Sequence, residues 1–195
     1  MSQLNIVLGS SSQWRRKVLA EMLDILPEKV QVLIPNIDEK KIRHDDPKEM
    51  TLQIARAKSQ ALLSSLSEPC ILICSDQVAV YNGEVREKPI DSLEARKFLE
   101  SYRDHPVQVV VSLVVTNTKT GKTFEGVAMA TQKFKYLPDS FIDYLLEQGD
   151  VFNACGGFVI EHMQEYIDKL EGEMETVQGL PKTLTLELLS KAQNS

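Results

Sequence analysis

The sequence predicts a mixed α/β fold, and three observations predict it. Apolar runs of strand length alternate along the chain with stretches of helical spacing. An Asn-Gly pair between two apolar segments signals a tight hairpin, which a purely parallel sheet does not contain. At 195 residues, with 43% apolar and 26% charged side chains, the chain is long enough to bury a substantial core without a metal or a disulfide. One domain spanning 1–195 is therefore expected.

Each element follows from its local pattern. "LNIVL" (4–8) is a short apolar run before Gly9 and three serines, and reads as a buried strand. Val18, Leu19, Met22 and Leu23 recur at helical spacing, which predicts a helix from about Gln13 to Asp24. "VQVLIP" (30–35) predicts a second strand. After Pro47, the positions Met50, Ile54, Ala57, Ala61 and Leu62 predict a helix of several turns. An apolar strand then runs from Cys70 into Ser75-Asp76 and is expected to end there, and Asn82-Gly83 predicts the hairpin. Asp91, with Glu94 three residues on, opens the next helix as a capping pair. Two long strands joined through Thr118 to Thr123 follow, then helices at 139–148, ending at Gly149, and at 181–191, starting at Pro181.

Composition removes several functional classes. A net charge of −6 argues against coating DNA or RNA, whose phosphate backbones require a basic face. Cys70, Cys74 and Cys155 are odd in number and lack paired spacing, so they read as reduced core thiols. His44, His105 and His162 are scattered without ligand spacing, which argues against zinc. No apolar run approaches the ~20 residues that span a bilayer, and the N-terminus has no charged-then-apolar signal pattern. A cytoplasmic protein without nucleic-acid or membrane partners is the default expectation.

The residues with chemical potential cluster in a few stretches. The turn at Ser10, Ser11 and Ser12 precedes a helix N-terminus, where unpaired backbone N–H groups and hydroxyls suit an anion; Arg15 and Arg16 add forked cationic donors. The spacing is not that of a P-loop. Asp38-Glu39 follows a strand, and Asp76 sits at the expected end of another, where open α/β sheets bind ligands. Two such carboxylates can hold a hard divalent cation and orient a water. With Lys58 and Lys88 they make an acid-and-base set suited to phosphoryl chemistry.

Seven segments, in order, resemble the Maf family of nucleoside triphosphate pyrophosphatases: "SSSQWRR" (10–16), "NIDE" (36–39), "ARAKS" (55–59), "SDQV" (75–78), "EKP" (87–89), "ACGGF" (154–158) and "LEGEMETVQGLP" (170–181). The resemblance implies an elongated mixed sheet with helices on both sides, forming two lobes around a deep cleft. It also implies divalent-metal-dependent attack of water at an α-phosphate, with Mg2+, Mn2+ or Co2+ as the cation. On this likeness Asp76 is the proton acceptor, and Glu39 is a metal-linked acid that shares the cation with Asp76. Ser10, Ser12, Arg15, Arg16, Lys58 and Lys88 serve the phosphates.

Trp14, Gln77 and Glu161 match the specificity positions of a branch that prefers 7-methyl-GTP. The physics agrees: N7-methylation makes guanine cationic, an indole face attracts a cationic ring, and a carboxylate accepts hydrogen bonds from the N1–H and N2–H edge. Three departures stand out: Gln13 replaces a proline, "VVVS" (109–112) replaces a Thr-Gly pair, and His162 stands where the branch has glycine. Hydrolysis of dTTP, UTP or a broad nucleotide set is the alternative within the class; a non-catalytic nucleotide-binding regulator of cell division is the alternative outside it. Family members are often homodimers, although no apolar stripe in the sequence marks an interface.

Overall fold

The computed structural model describes residues 4–195. One sheet of seven strands organises it: β1 (Asn5–Gly9), β2 (Gln31–Leu33), β3 (Cys70–Tyr81), β4 (Glu84–Arg86), β5 (Val107–Asn117), β6 (Lys122–Phe134) and β7 (Ile167–Glu171). The order is β2-β1-β3-β5-β6-β7, with β4 pairing β3 away from that path. β1 runs parallel to β2 and β3, and all other pairs are antiparallel, so the mixed sheet is confirmed.

Helices α1 (Gln13–Met22), α2 (Pro47–Leu63), α3 (Ser92–Ser101), α4 (Asp139–Gln148), the single turn α5 (Met174–Val177) and α6 (Lys182–Gln193) cover the sheet. Their starts are chemically marked. Asp46 and Asp91 accept hydrogen bonds from Lys48 N (2.9 Å) and Glu94 N (2.8 Å), and Glu94 reaches back to accept from Ile90 N (2.7 Å). The hairpin between β3 and β4 turns through Asn82 (φ 48°) and Gly83 (φ 82°), the paired positive values that a two-residue turn of this hand requires.

Strand alternation distributes the core over both faces of the sheet. Leu72 and Cys74 pack with Leu62, and Val78 packs with Met50 and Ile54, all against α2. On the other face Ile71 and Ile73 join Leu19, Leu188 and Leu189 from α1 and α6, while Ala79 joins Phe98, Leu99 and Ile142 from α3 and α4. That second face therefore carries two separate apolar clusters. Ser75, Asp76 and Gln77 lie between them in the chain.

The strand expected to end at Asp76 does not end there. β3 continues to Tyr81, because the whole of 70–81 pairs with strand neighbours and one of its faces packs on α2. What ends is its parallel neighbour: β1 pairs with β3 only as far as Gly9 opposite Cys74, and β4 begins at Ala79 opposite Arg86. Among the described residues, 75–78 has β5 on one side and no strand on the other. Asp76 and Gln77, two of the candidate site residues, lie in this gap.

Candidate active site

Lys58 lies on the α2 face that also presents Ile54 and Leu62, four residues to either side, and so it is carried into the interior. Its ammonium lies 2.7 Å from Asp76 Oδ1, 3.2 Å from Glu39 Oε1 and 3.5 Å from the Ser75 carbonyl oxygen. Both Lys58 and Asp76 are only 6% exposed, whereas Glu39, in the short turn Glu39–Lys41, is half exposed. A buried carboxylate is tolerable only when paired. Burial pushes the Asp76 carboxyl above the usual aspartate range; Lys58 and Arg15 oppose that shift, and the Glu39 charge adds to it. A basic carboxylate held by one lysine is a fit proton acceptor.

The turn between β1 and α1 approaches from the other side of the gap. Ser12 caps α1 by accepting from Arg15 N (3.3 Å), and buried Ser10 accepts from Ser12 N (3.1 Å). Arg15 binds protein acceptors: Nε donates to Gly179 O (3.0 Å), Nη1 to Ser75 O (3.1 Å) and Nη2 to Gln77 Oε1 (3.5 Å). It laces this turn to β3 and to the segment after α5. Arg16 turns away, donating to Pro27 O at 2.6 Å, and the structure does not bring it to the cluster. Lys88 is exposed, and among the described residues no hydrogen bond or ion pair joins it to the cluster.

Gln77 and Glu161 both bind the segment 177–179. Gln77 Nε2 donates to Val177 O (2.9 Å), Gln178 Nε2 donates to Glu161 Oε1 (3.0 Å), and Ser75 Oγ donates to Gly179 O (3.0 Å). Gly179 adopts φ +93°, and a Cβ there would lie 2.4 Å from Gln77 Oε1 and 2.9 Å from Arg15 Nε, so both the backbone conformation and the space demand glycine. Trp14, half-buried in the first turn of α1, meets His162 edge to face with ring centroids 5.7 Å apart.

One correction follows. Asp76 occupies the middle of a strand, at the end of its neighbour rather than of its own. Cys155 is a free thiol packed against the apolar cluster of α3 and α4 but less buried than Cys70 and Cys74; burial pushes the thiols of Cys155 and Cys74 up to about 12, so neither is a reactive thiolate at neutral pH. The hub residues Gln178 and Gly179 have no signal of their own in periodicity or charge. Only their membership in "VQGLP" pointed to them.

Fold and site together define a mixed α/β protein with a buried acid–lysine pair between β3 and α2, joined through Arg15 to the first turn of α1. The chain belongs to the Maf-like protein family, whose sequence profile matches residues 5–192. It is 50% identical over 198 residues, covering 98% of each chain, to a protein from Dictyostelium discoideum named 7-methyl-GTP pyrophosphatase. Proteins named dTTP/UTP pyrophosphatase from Pyrococcus furiosus (31% identity, 94% of this chain and 93% of that one) and Porphyromonas gingivalis (32%, 93% and 90%) are more distant.

Proposed function

We propose that this chain is a nucleoside triphosphate pyrophosphatase that hydrolyses 7-methyl-GTP to 7-methyl-GMP and pyrophosphate, acting as one domain on free nucleotide in the cytoplasm and keeping the modified nucleotide out of nucleic acid. One observation carries the reading. Lys58 gathers Asp76 and Glu39 beside 75–78, and the segment 177–179 links Gln77 of that gap to Glu161, whose neighbour His162 meets Trp14; this chain of contacts supports phosphates bound at the first set and a base at the second. The 50% identity with the Dictyostelium protein supports the choice of base.

Glu39 and Asp76 suit a divalent cation. They offer hard oxygen donors gathered around one ammonium, and among the described residues no cluster of three or more His, Cys, Asp or Glu forms a complete cage. Mg2+-type ions commonly bind through one or two carboxylates and complete their shell with water and substrate phosphate. Bound there, Mg2+, Mn2+ or Co2+ supplies charge neutralisation at the phosphate oxygens.

The remaining steps belong to the chain. Asp76 takes a proton from the water whose oxygen attacks the α-phosphorus; the bond from that phosphorus to the α,β-bridging oxygen breaks, and pyrophosphate departs with the electron pair. Lys58 fixes the Asp76 carboxylate and limits its repulsion from the phosphates. Ser10, Ser12 and the N–H groups opening α1 receive phosphate oxygens, with Lys88 at the rim; Arg15 and Arg16 join them only by releasing their present carbonyl partners. Trp14 stacks on the cationic base, and Glu161 accepts from its N1–H and N2–H edge. A base without those donors leaves Glu161 with Gln178 as its hydrogen-bond partner and forfeits the two bonds from the base, which is how the pocket discriminates.

Pyrophosphate release from 7-methyl-GTP, GTP, dTTP, UTP, CTP and ATP tests the reading, each with Mg2+, Mn2+ or Co2+ and after chelation. Selective turnover of 7-methyl-GTP that stops with chelator is expected. Faster turnover of dTTP and UTP replaces the substrate assignment, and tight binding without turnover refutes the enzyme.

A further inference from the structure

Trp14 is the chain's single tryptophan, and His162 is the aromatic ring against it among the described residues. The two planes stand at 85°, an edge-to-face pair of the kind that fixes relative orientation. His162 is itself held: its Nε2 lies 2.9 Å from Asp150 Oδ2, and its backbone N–H donates to Val159 O at 3.0 Å. Asp150 follows α4 directly and His162 closes the turn Ile160–His162, so this bond ties the two ends of the loop that carries Glu161. No hydrogen bond from the Trp14 indole N–H to a described residue supplements the ring contact.

We infer that His162 is a positioning residue for base recognition: its ring fixes the rotation of the Trp14 indole, so that the base meets a stacking plane already in place. The inference rests on the base-reading role given to Trp14 above. A half-exposed indole in the first turn of a helix would otherwise sample several rotamers, and freezing one on binding subtracts from affinity. His162 removes that loss before the nucleotide arrives. It touches neither the phosphates nor Asp76, so its effect belongs in KM for the methylated base rather than in the chemical step.

Two substitutions separate this role from simple support of the loop. His162→Gln retains a donor for Asp150 but removes the ring; His162→Phe retains a ring for Trp14 but loses the bond. Because Trp14 is the single tryptophan, time-resolved fluorescence anisotropy reads its mobility without nucleotide. The expected result is faster indole motion in His162→Gln and a KM for 7-methyl-GTP raised about two- to tenfold at nearly unchanged kcat, with His162→Phe close to wild type. An indole as immobile in His162→Gln as in wild type overturns the inference, and so does a His162→Phe enzyme as impaired as His162→Gln. Trp14→Ala provides the control. If it discriminates 7-methyl-GTP from GTP as wild type does, the base-reading role fails and this inference with it; if it loses discrimination while His162→Gln keeps wild-type KM, this inference fails alone.

Discussion

At the scale of single residues, the chemistry depends on how Asp76 is paired. Its carboxylate is buried, raised by that burial, and anchored on Lys58 at 2.7 Å. Asp76→Asn keeps the shape but removes the proton acceptor, so turnover should fall by about 10²–10⁴-fold. Stability should fall by about 1–3 kcal/mol, because the buried Lys58 ammonium keeps only the half-exposed Glu39 as a charged partner. Pyrophosphate release and a thermal melt check both halves of that expectation. Trp14 is a different kind of residue, acting on selectivity. Trp14→Arg replaces a surface that attracts a cationic base with a charge that repels it, and the preference for 7-methyl-GTP over GTP should drop by about 3- to 30-fold in kcat/KM, measured with the two nucleotides in competition.

At the scale of elements, the segment after α5 joins the parts of the site. Gly179 accepts from Arg15 and Ser75, and its neighbours Val177 and Gln178 bind Gln77 and Glu161, so one short segment orients residues from β3, α1 and the 160–162 turn together. Gly179→Ala should cost about 1–3 kcal/mol, through a strained left-handed backbone and a Cβ pressed against Gln77. Urea unfolding would measure that loss, and KM for 7-methyl-GTP should rise with it as Gln77 and Arg15 are displaced. The cap of α3 makes a useful contrast. Asp91→Ala removes the acceptor for Glu94 N, should cost about 1 kcal/mol in the same unfolding experiment, and should leave selectivity untouched because α3 carries none of the base-reading side chains.

At the scale of the whole molecule, the gap at 75–78 separates two apolar clusters on one sheet face, and the proposed ligand spans it. A nucleotide bound only to the folded chain should therefore stabilise the molecule as a unit. At 100 times Kd the gain is about 2.7 kcal/mol, which for a chain of this size is a rise of about 5–10 °C in Tm. Asp76→Asn, which should bind without consuming its ligand, is the protein in which to measure it, with 7-methyl-GTP shifting the melt more than UTP at equal concentration. No helix of the described residues is long and apolar enough to cross a membrane.

The sequence by itself determined the element types, because hydrophobic period, capping pairs such as Asp91/Glu94 and turn pairs such as Asn82-Gly83 act over a few residues. It also named the acids, the lysines and the aromatic, through motifs whose order along the chain is specific. Other features were legible only in three dimensions. β7 escaped detection because "IDKLE" is a half-buried edge strand, whose charges protect an edge instead of marking a strand. The length of β3 was misread because polar Ser75 and Asp76 look like a strand end, when their burial is supplied by Lys58, Arg15 and Gly179 from distant segments. The pairing of Trp14 with His162, the outward turn of Arg16 and the gap where β1 stops and β4 has not begun are likewise tertiary facts. They depend on which segments meet across the sheet, and such meetings leave no periodic trace in the local chain.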